Sequence, residues 1–262
     1  MNRNKERDAD RLIEEPGGKV RLFVEAALAP DAKVALNDAQ AHYLIRVMRA
    51  GIGDRVLLFN AKDGEWRAEI VEAKKHGATL SCEAQTESQT DVPDLWLVFA
   101  PIKKTPADYV AQKATELGVR LLQPVLTHRT IARRVNTDRI RANAIEAAEQ
   151  SGRVTVPEIR EPVTLEALLR SWPKDRRIVF CDEGGDAAPI AEALAGVKGE
   201  GLSWAVLTGP EGGFDPEERA LLRSSTFVVP VTLGPRIMRA DTASLAALAL
   251  FQALVGDWRR SL

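Results

Sequence analysis

Hydrophobic residues follow two different rhythms along the chain, and the first rhythm occupies residues 20 to about 84. Four short apolar segments with strand composition lie at residues 20–24, 55–59, 66–71 and 78–82. Glycine-containing turn signals separate them, as is typical of antiparallel strands. An amphipathic segment at residues 41–49 predicts one helix, with Asp38 as its N-cap. This part of the sequence therefore predicts a small β domain.

After about residue 95, strand-like segments alternate with helical ones. Strands are predicted at residues 95–100, 121–127, 178–181, 202–208 and 227–233, and helices at about 107–117, 138–150, 216–224 and 242–256. Alternation at this spacing indicates an α/β fold with a mostly parallel sheet covered by helices. In such sheets, ligands bind outside the carboxyl ends of the strands.

The segment between the two rhythms, residues 85–94, is polar and contains Pro93, so it predicts the interdomain linker. Residues 1–19 carry charges of both signs and bury little apolar surface, which predicts a disordered extension. The expected organisation is an extension at residues 1–19, a β domain at 20–88 and an α/β domain at 92–262.

The composition indicates a globular cytoplasmic protein. Of 262 residues, 45% are hydrophobic and 28% are charged, and the net charge is −1. No signal peptide is expected, and no uncharged apolar run reaches the roughly 18 residues of a membrane span. Two cysteines and three histidines are scattered along the chain, so we expect no disulfide framework and no metal.

The sequence LTGPEGGFD at residues 207–215 joins a predicted strand to a predicted helix. Neither of the common phosphate-loop signatures is present. Glu211 would repel a phosphate by about 1–4 kcal/mol at about 4 Å, and Asp215 followed by Pro216 predicts a helix start that already carries carboxylates. We therefore expect this loop to suit a ligand with hydroxyls, an aromatic base and positive charge. The alternative is a plain turn whose glycines serve the backbone geometry.

A second glycine-containing loop, TLGPRIMRADTA at residues 232–243, follows the last predicted strand. Two such loops at strand ends could enclose one ligand. Asp241 or Thr242 is the expected cap of the next helix, which has no charged residue between Thr242 and Val255. A helix that is apolar around most of its circumference is buried on more than one side. We predict that it packs against its own sheet and a second subunit; burial within one core is the alternative.

Arginines are concentrated between residues 120 and 141, where the only acid is Asp138. The six are Arg120, Arg129, Arg133, Arg134, Arg139 and Arg141. Such a local imbalance in a nearly neutral protein favours RNA phosphates as the counter-charge. Arg46 and Arg49, three residues apart on the predicted helix, are expected to add contacts. A solvated surface is the alternative for both groups.

Four motifs occur along the chain in a fixed order: QKATELGV at 112–119, AEQSGR at 148–153, LTGPEGGF at 207–214 and LGPRIMRADTA at 233–243. Together they resemble the SPOUT superfamily of knotted RNA methyltransferases, and more closely the 16S ribosomal RNA (uracil-N3)-methyltransferase family. The resemblance extends from about residue 20 to the end. The sequence departs from the family pattern at Asp241, where the family more often has glutamate, and at Met238, where the family usually has leucine.

The resemblance implies a PUA-like RNA-binding β-barrel followed by an α/β domain with a deep trefoil knot. It also implies a homodimer formed through the C-terminal domain. The implied cofactor is S-adenosylmethionine, which contains a sulfonium but no phosphate, so that Glu211 is no longer anomalous. By resemblance, the residues that would hold the cofactor are Thr208, Gly209, Glu211, Gly213, Leu233, Gly234, Ile237 and Met238.

The implied reaction is methylation at N3 of a specific uridine of 16S ribosomal RNA, in the decoding region of the small ribosomal subunit. Uracil N3 is a poor nucleophile until it loses its proton, so the enzyme must stabilise a uracil anion. The planar guanidinium of arginine supplies the positive charge for this. Arg153 and Arg239 are the candidates, and Arg236 is a weaker one that also contacts RNA. Glu149 and Asp241 are candidate proton acceptors, with solvent as the alternative. Arg153 could instead be only a cation that follows a helix capped at Gly152.

Three other functions remain open. A SPOUT methyltransferase could act on another target, such as transfer RNA or a ribose hydroxyl. The fold could also serve as a non-catalytic RNA-binding or ribosome-assembly module. A nucleotide-dependent enzyme with a Rossmann-like domain is disfavoured, because the phosphate fingerprint is missing.

Overall fold

The computed structural model describes residues 9–14, 20–74, 77–102, 104–132, 134–184, 186–197 and 203–259; at 104–106 it describes the backbone alone. The chain divides into two compact units. One contains Met1–Asp91 and Ala148–Thr155, and the other contains Val92–Ala147 and Val156–Leu262. No helix of the described ranges is long and apolar enough to cross a membrane.

The first unit is built on a five-stranded sheet with the order β1-β3-β4-β5-β2. Its strands are β1 (Arg21–Phe23), β2 (Lys33–Ala35), β3 (Arg55–Phe59), β4 (Glu65–Lys74) and β5 (Gly77–Glu87). β1 pairs in parallel with β3, and the other pairs are antiparallel. β5 extends into the expected linker, because Gln85 and Glu87 pair with Trp66 and Glu65 of β4. β2 has no counterpart among the predicted strands.

The predicted helix of the first unit is shorter than expected. α1 (Asp38–His42) is capped by Asn37, not by Asp38, because the Asn37 side chain accepts from the Gln40 amide in a capping box. One π-helical turn, Tyr43–Val47, follows it. Arg49 then has a φ of 54°, outside helical geometry, so Arg46 and Arg49 do not share a helix face. Both side chains are exposed.

Residues 9–14 lie in the expected disordered extension, yet they are packed on the first unit. Leu12 is buried in its core. Arg11 donates from Nη2 to Asp54 Oδ2 at 3.1 Å, and Arg55 N donates to Ala9 O at 2.8 Å. One buried apolar side chain and two ion pairs, Arg11–Asp54 and Asp10–Arg55, therefore hold this polar segment on the first unit. Residues 1–8 and 15–19 lie outside the described part of the chain.

The second unit is built on an eight-stranded sheet with the order β11-β13-β10-β12-β6-β7-β8, in which β9 also pairs with β7. Its strands are β6 (Leu95–Phe99), β7 (Leu121–Leu126), β8 (Glu158–Ile159), β9 (Val163–Thr164), β10 (Arg176–Cys181), β11 (Ala188–Pro189), β12 (Ser203–Thr208) and β13 (Val228–Thr232). The strand pairs among the described residues are parallel. The predicted α/β fold with a mostly parallel sheet is confirmed.

In the described part of the chain, six α-helices accompany this sheet: α2 (Lys104–Glu116), α3 (Thr137–Ser151), α4 (Leu165–Arg170), α5 (Ile190–Ala193), α6 (Pro216–Ser224) and α7 (Ala240–Leu254). The last residues of α3 belong to the first unit. Every residue of β6 is buried, because alternate side chains enter two cores. Leu95 and Leu97 pack in the core formed with α2 and α7, and Trp96 and Val98 in the core formed with α4 and α6.

The polar residues of the apolar helix α7 have partners inside the second unit. Ser244 Oγ lies 2.8 Å from Thr208 Oγ1 at the end of β12. Gln252 is fully buried, and its Nε2 donates to Leu117 O at 2.6 Å. These two contacts satisfy groups that would otherwise be costly to bury. The first fixes α7 against the end of β12, and the second fixes it against the residue that follows α2.

Candidate functional site

A cavity of about 660 Å³ opens at the carboxyl ends of β10, β12 and β13. This is the edge at which parallel α/β sheets bind ligands, and the volume is within the usual range for small-molecule sites. The two glycine-containing loops form much of its wall. All eight residues implied as cofactor contacts line it: Thr208, Gly209, Glu211, Gly213, Leu233, Gly234, Ile237 and Met238.

Close packing explains the first glycine of the loop after β12. A Cβ added at Gly209 would lie 2.7 Å from Cε2 of Phe214. That ring cannot yield easily, because it packs edge-on against the buried Phe180 with the centroids 5.0 Å apart. Because Gly209 has no side chain, its backbone can lie directly against the Phe214 ring in the wall of the cavity.

The next two glycines of the loop differ from each other. Gly213 has a φ of 65°, a conformation that side chains disfavour, and an added Cβ would collide with the carboxylate of Glu183. At Gly212 the nearest atom to an added Cβ is Cβ of Arg129, at 3.6 Å. Of these two glycines, Gly213 therefore requires glycine on conformational grounds, and a side chain there would also displace the exposed carboxylate of Glu183.

The predicted start of α6 is confirmed. Asp215 is the N-cap, Pro216 lies in the first turn, and Asp215 and Glu218 form a capping box. Glu218 is only 2% exposed, and its two oxygens accept from the amides of His128 and Asp215. Carboxylates thus occupy the helix N-terminus where a phosphate would otherwise bind.

A third wall of the cavity comes from the end of β10, which sequence reasoning missed. Cys181, Asp182 and Glu183 line the cavity. Burial raises the pKa of the Cys181 thiol to about 12, so this group is neutral. Burial would also raise the pKa of Asp182, but hydrogen bonds from Arg219 and Arg223 outweigh it and the pKa is lowered. The sequence feature that could have predicted this wall is the acidic pair Asp182 and Glu183 directly after a predicted strand.

The loop after β13 brings two arginines to the cavity. Arg236 and Arg239 line it and are exposed, as is Ile237, at 92%. The expected cap at Asp241 or Thr242 is wrong, because α7 begins at Ala240 and Arg239 is the N-cap residue. Asp241 lies in the first turn, where its Oδ1 accepts from Thr242 N at 2.7 Å.

The other two candidate catalytic residues belong to the first unit, whereas Arg239 and Asp241 belong to the second. Arg153 donates from Nε to the carbonyl oxygen of Thr155 at 2.7 Å and to its Oγ1 at 2.9 Å. Glu149 Oε1 accepts from Phe23 N at 2.9 Å. Gly152, with a φ of 77°, ends the helix before Arg153.

Arg21 orders the segment that carries Arg153 and Glu149. Its buried guanidinium pairs with Glu65 and donates to the carbonyl oxygens of Ala148 at 2.6 Å and Arg153 at 3.1 Å. A cation that satisfies the last carbonyls of a helix also favours its dipole. This role could not be predicted from the sequence, since Arg21 is an isolated charge within a predicted strand.

The candidate RNA-binding arginines have different surroundings. Arg134 is exposed, and Arg129 donates from Nη1 to Gly212 O at 2.8 Å. Arg139, counted as part of the basic segment, pairs with Asp108 of α2 through two hydrogen bonds. The predicted charge imbalance is therefore smaller than the sequence count, because one counter-charge comes from another helix. Arg133 lies outside the described residues.

His128 joins the loop after β7 to the start of α6. Its Nδ1 is hydrogen-bonded to Asp215 Oδ2, and its Nε2 lies 3.2 Å from Glu166. The hydrogen bond with Asp215, together with the charges of Glu218, Asp215 and Glu166, raises the pKa of His128. Ligand atoms of His128, Glu166 and Glu218 lie within 4.8 Å of one another, but Glu218 already accepts two backbone hydrogen bonds. The arrangement is an ion-paired cluster next to the glycine-containing loop that follows β12.

We expect this cluster to stabilise the protein more at low pH than at high pH. Because the folded-state pKa of His128 is raised, its contribution is complete below the unfolded value of about 6.5 and is lost as pH rises through the folded value. The melting temperature of His128→Gln should therefore differ from wild type at about pH 6 and agree with it at about pH 9. His42→Gln, at an exposed histidine, is the control. A difference in melting temperature that is equal at both pH values, or one that His42→Gln also produces, would contradict this interpretation.

Comparison with known proteins gives two family matches. Residues 89–252 match the family described as an RNA methyltransferase domain. Residues 36–81 match the family described as an RNA methyltransferase PUA domain. The first match alone extends over more than half of the chain.

Whole-chain relatives agree with these matches. The ribosomal RNA small subunit methyltransferase E of Rickettsia conorii is 30% identical over 236 residues, which are 89% of this chain and 95% of the relative. The protein of the same name from Synechocystis is 32% identical, over 90% of this chain and 78% of its own.

Solved structures show the same fold. The ribosomal RNA small subunit methyltransferase E of Neisseria gonorrhoeae, bound to S-adenosyl methionine, superposes with a TM-score of 0.83 and 27% identity, over 92% of this chain and 99% of the other. A Legionella pneumophila protein in complex with the same cofactor gives a TM-score of 0.82 and 27% identity, over 91% and 99% of the two chains. The predicted family and fold class are confirmed: the chain belongs to the RNA methyltransferase family and, within it, to the ribosomal RNA small subunit methyltransferases E.

Proposed function

We propose that the protein transfers the methyl group of S-adenosylmethionine to N3 of a specific uridine in 16S ribosomal RNA of the small ribosomal subunit. The observation that carries this proposal is the cavity of the second unit. It gathers all eight expected cofactor contacts from two loops whose contact residues are 20 or more positions apart in sequence. A non-catalytic binding module would have no need for such a cavity beside two exposed arginines.

The cavity fits the cofactor in its shape and in its charge. Gly209 and Gly213 let the backbone approach a ligand where a Cβ would meet other protein atoms. Two acids that line the wall, Glu183 and Glu211, favour a cationic ligand and oppose a phosphate. When bound, the cofactor supplies a methyl group activated by a sulfonium.

An arginine side chain stabilises the deprotonated base. Uracil N3 becomes nucleophilic when it loses its proton, and the resulting charge is shared by O2 and O4. Arg239 and Arg153 carry fixed positive charge in a planar fork that suits these oxygens. Asp241 or Glu149 receives the proton, directly or through water, or else solvent does so. Arg239 is the strongest candidate, because it lines the cavity and its side chain makes no capping hydrogen bond.

The remaining candidates position the RNA. We assign residues 20–88 as the PUA-like RNA-binding domain and residues 92–262 as the methyltransferase domain. Arg46 and Arg49 in the first, and Arg129, Arg133, Arg134 and Arg236 in the second, supply phosphate contacts. Exposure of Arg46, Arg134 and Arg236 supports this assignment. Arg129 would contact RNA while it also holds Gly212.

We further propose that α7 forms the interface of a homodimer. One face of the helix is buried within the chain, whereas Leu250 is 36% exposed and Ala253 is exposed. A helix that carries no charge between Thr242 and Val255 and has apolar groups on its outer side is typical of a surface that a second subunit covers.

Introducing a charge on this surface should separate the subunits. We expect wild type to have twice the chain mass of 28.7 kDa in light scattering and Leu250→Glu to have the mass of one chain, because a buried unpaired carboxylate is costly. The matched control is Leu221→Glu, at a leucine of α6 that is 42% exposed. A monomeric wild type, or a dimeric Leu250→Glu, would refute the assignment.

Calorimetric titration tests the cofactor directly. The proposal requires that S-adenosylmethionine binds with one site per chain and that ATP, which carries phosphates, does not compete with it. Binding of ATP in its place would favour the nucleotide-dependent alternative, and binding of neither would favour the non-catalytic module.

A further inference from the structure

A second cavity, of about 700 Å³, lies in the second unit beside the first one. The last residue of β6, Phe99, lines it, and in the sheet register Phe99 pairs with Thr208 of β12, which lines the cofactor cavity. The two cavities thus flank one pair of strands at the carboxyl edge of the sheet. Neighbouring strands are only about 4.8 Å apart, so a single RNA segment can reach both.

The walls of the second cavity are apolar. Phe99, Ile102 and Ile140 are each no more than 6% exposed and form its interior with Ala132 and the half-buried Val135. An apolar cavity of this kind suits a flat, largely uncharged group and gives no partner to a phosphate.

The rim of the cavity is polar and carries net positive charge. Arg134 is exposed there, and the charge of Asp108 is neutralised by its two hydrogen bonds from Arg139. The carbonyl oxygen of the Asn136 side chain caps α3 by accepting from Arg139 N. Its amide nitrogen, which makes no hydrogen bond within the described ranges, is available as a donor. Apolar walls with a cationic, hydrogen-bonding rim match an unpaired base and its phosphate.

We propose that this cavity binds one unpaired nucleobase of the substrate RNA, from a nucleotide that flanks the reacting uridine. The base enters between Phe99, Ile102 and Val135, Asn136 donates to its edge, and Arg134 contacts the adjoining phosphate. The inference rests on the proposed function, since it takes the methylated RNA as the ligand. It adds a specificity site that reads a position other than the one that reacts.

Filling the cavity tests the proposal. We expect Ala132→Trp to raise the Kd for unmethylated small ribosomal subunits in filter binding about 10-fold, the usual loss when one stacked base is displaced. The slope of log Kd against log salt concentration should not change, because no phosphate contact is removed. The matched control is Ala220→Trp, at an exposed alanine of α6, which should bind as wild type does.

Three further measurements separate the outcomes. Wild-type affinity for S-adenosylmethionine in the absence of RNA would show that Ala132→Trp is folded. If Ala132→Trp is not folded, the smaller substitution Ala132→Leu takes its place, with an expected loss of subunit affinity of about 3-fold. Subunit binding equal to wild type overturns the proposal, as does a change in oligomeric state, which would make a second copy the occupant. If wild type transfers no methyl group but Ala132→Trp still weakens subunit binding, the proposed function fails and the base-binding cavity stands.

Discussion

Replacement of Arg239 by alanine is expected to lower kcat for methyl transfer by about 100- to 1,000-fold, the usual cost of removing one charge-stabilising donor. The reason is that Arg239 lines the cavity, is exposed, and has no capping hydrogen bond that would give it a structural role. In the proposed mechanism its charge stabilises the uracil anion and does not contribute to binding of the cofactor. The Kd for S-adenosylmethionine should therefore change little.

Two further variants distinguish a specific role of the Arg239 guanidinium in catalysis from a general effect of losing one positive charge. Arg239→Lys keeps the charge but loses the planar fork, so we expect only partial recovery of kcat. Arg170→Ala removes an exposed arginine at the end of α4 and should behave as wild type. Wild-type kcat in Arg239→Ala, or a loss confined to cofactor affinity, would show that Arg239 does not act on the base.

Gly213→Ala is expected to weaken cofactor binding by about 10-fold or more. A side chain at a φ of 65° costs roughly 1–2 kcal/mol, and its Cβ would displace Glu183 from the cavity wall. The loop can relieve this strain only by moving the backbone that faces the ligand. Calorimetric titration with S-adenosylmethionine measures the effect.

Gly212→Ala is the matched control for this change, because it makes the same substitution one residue earlier. The nearest atom to its Cβ would be 3.6 Å away, an ordinary van der Waals contact. We expect its Kd to equal that of wild type. Equal losses in both variants would mean that the loop tolerates no side chain at all, and no loss in either would remove Gly213 from the cofactor site.

The elements that position the site could be predicted because their signals are local. A mainly apolar segment is followed within two residues by a glycine at both β12 and β13, and the sequence from Asp215 to Glu218 contains its own cap. Short elements such as β2, β9 and β11 could not be predicted, since two or three residues carry no periodicity. The trefoil knot that the resemblance implies is likewise not predictable from sequence pattern, because a knot depends on threading and not on local sequence.

The lining of the cavity could be predicted only where it comes from the two glycine-containing loops. The wall formed by Asp182 and Glu183 was missed because strand order places β10 between β12 and β13, a neighbour relation that sequence does not contain. The pairing of Arg139 with Asp108 was missed for the same reason, since its partners lie on different helices. Arg21 is a third case, with hydrogen-bond acceptors about 130 residues away.

The most direct test of the central claim is methyl transfer from isotopically labelled S-adenosylmethionine to small ribosomal subunits that lack N3-methyluridine, followed by nuclease digestion and mass spectrometry of the nucleosides. Label in N3-methyluridine is the predicted result, and it would establish the donor, the reaction and the substrate together. Label in another nucleoside, or subunit binding without any label, would contradict the proposed reaction.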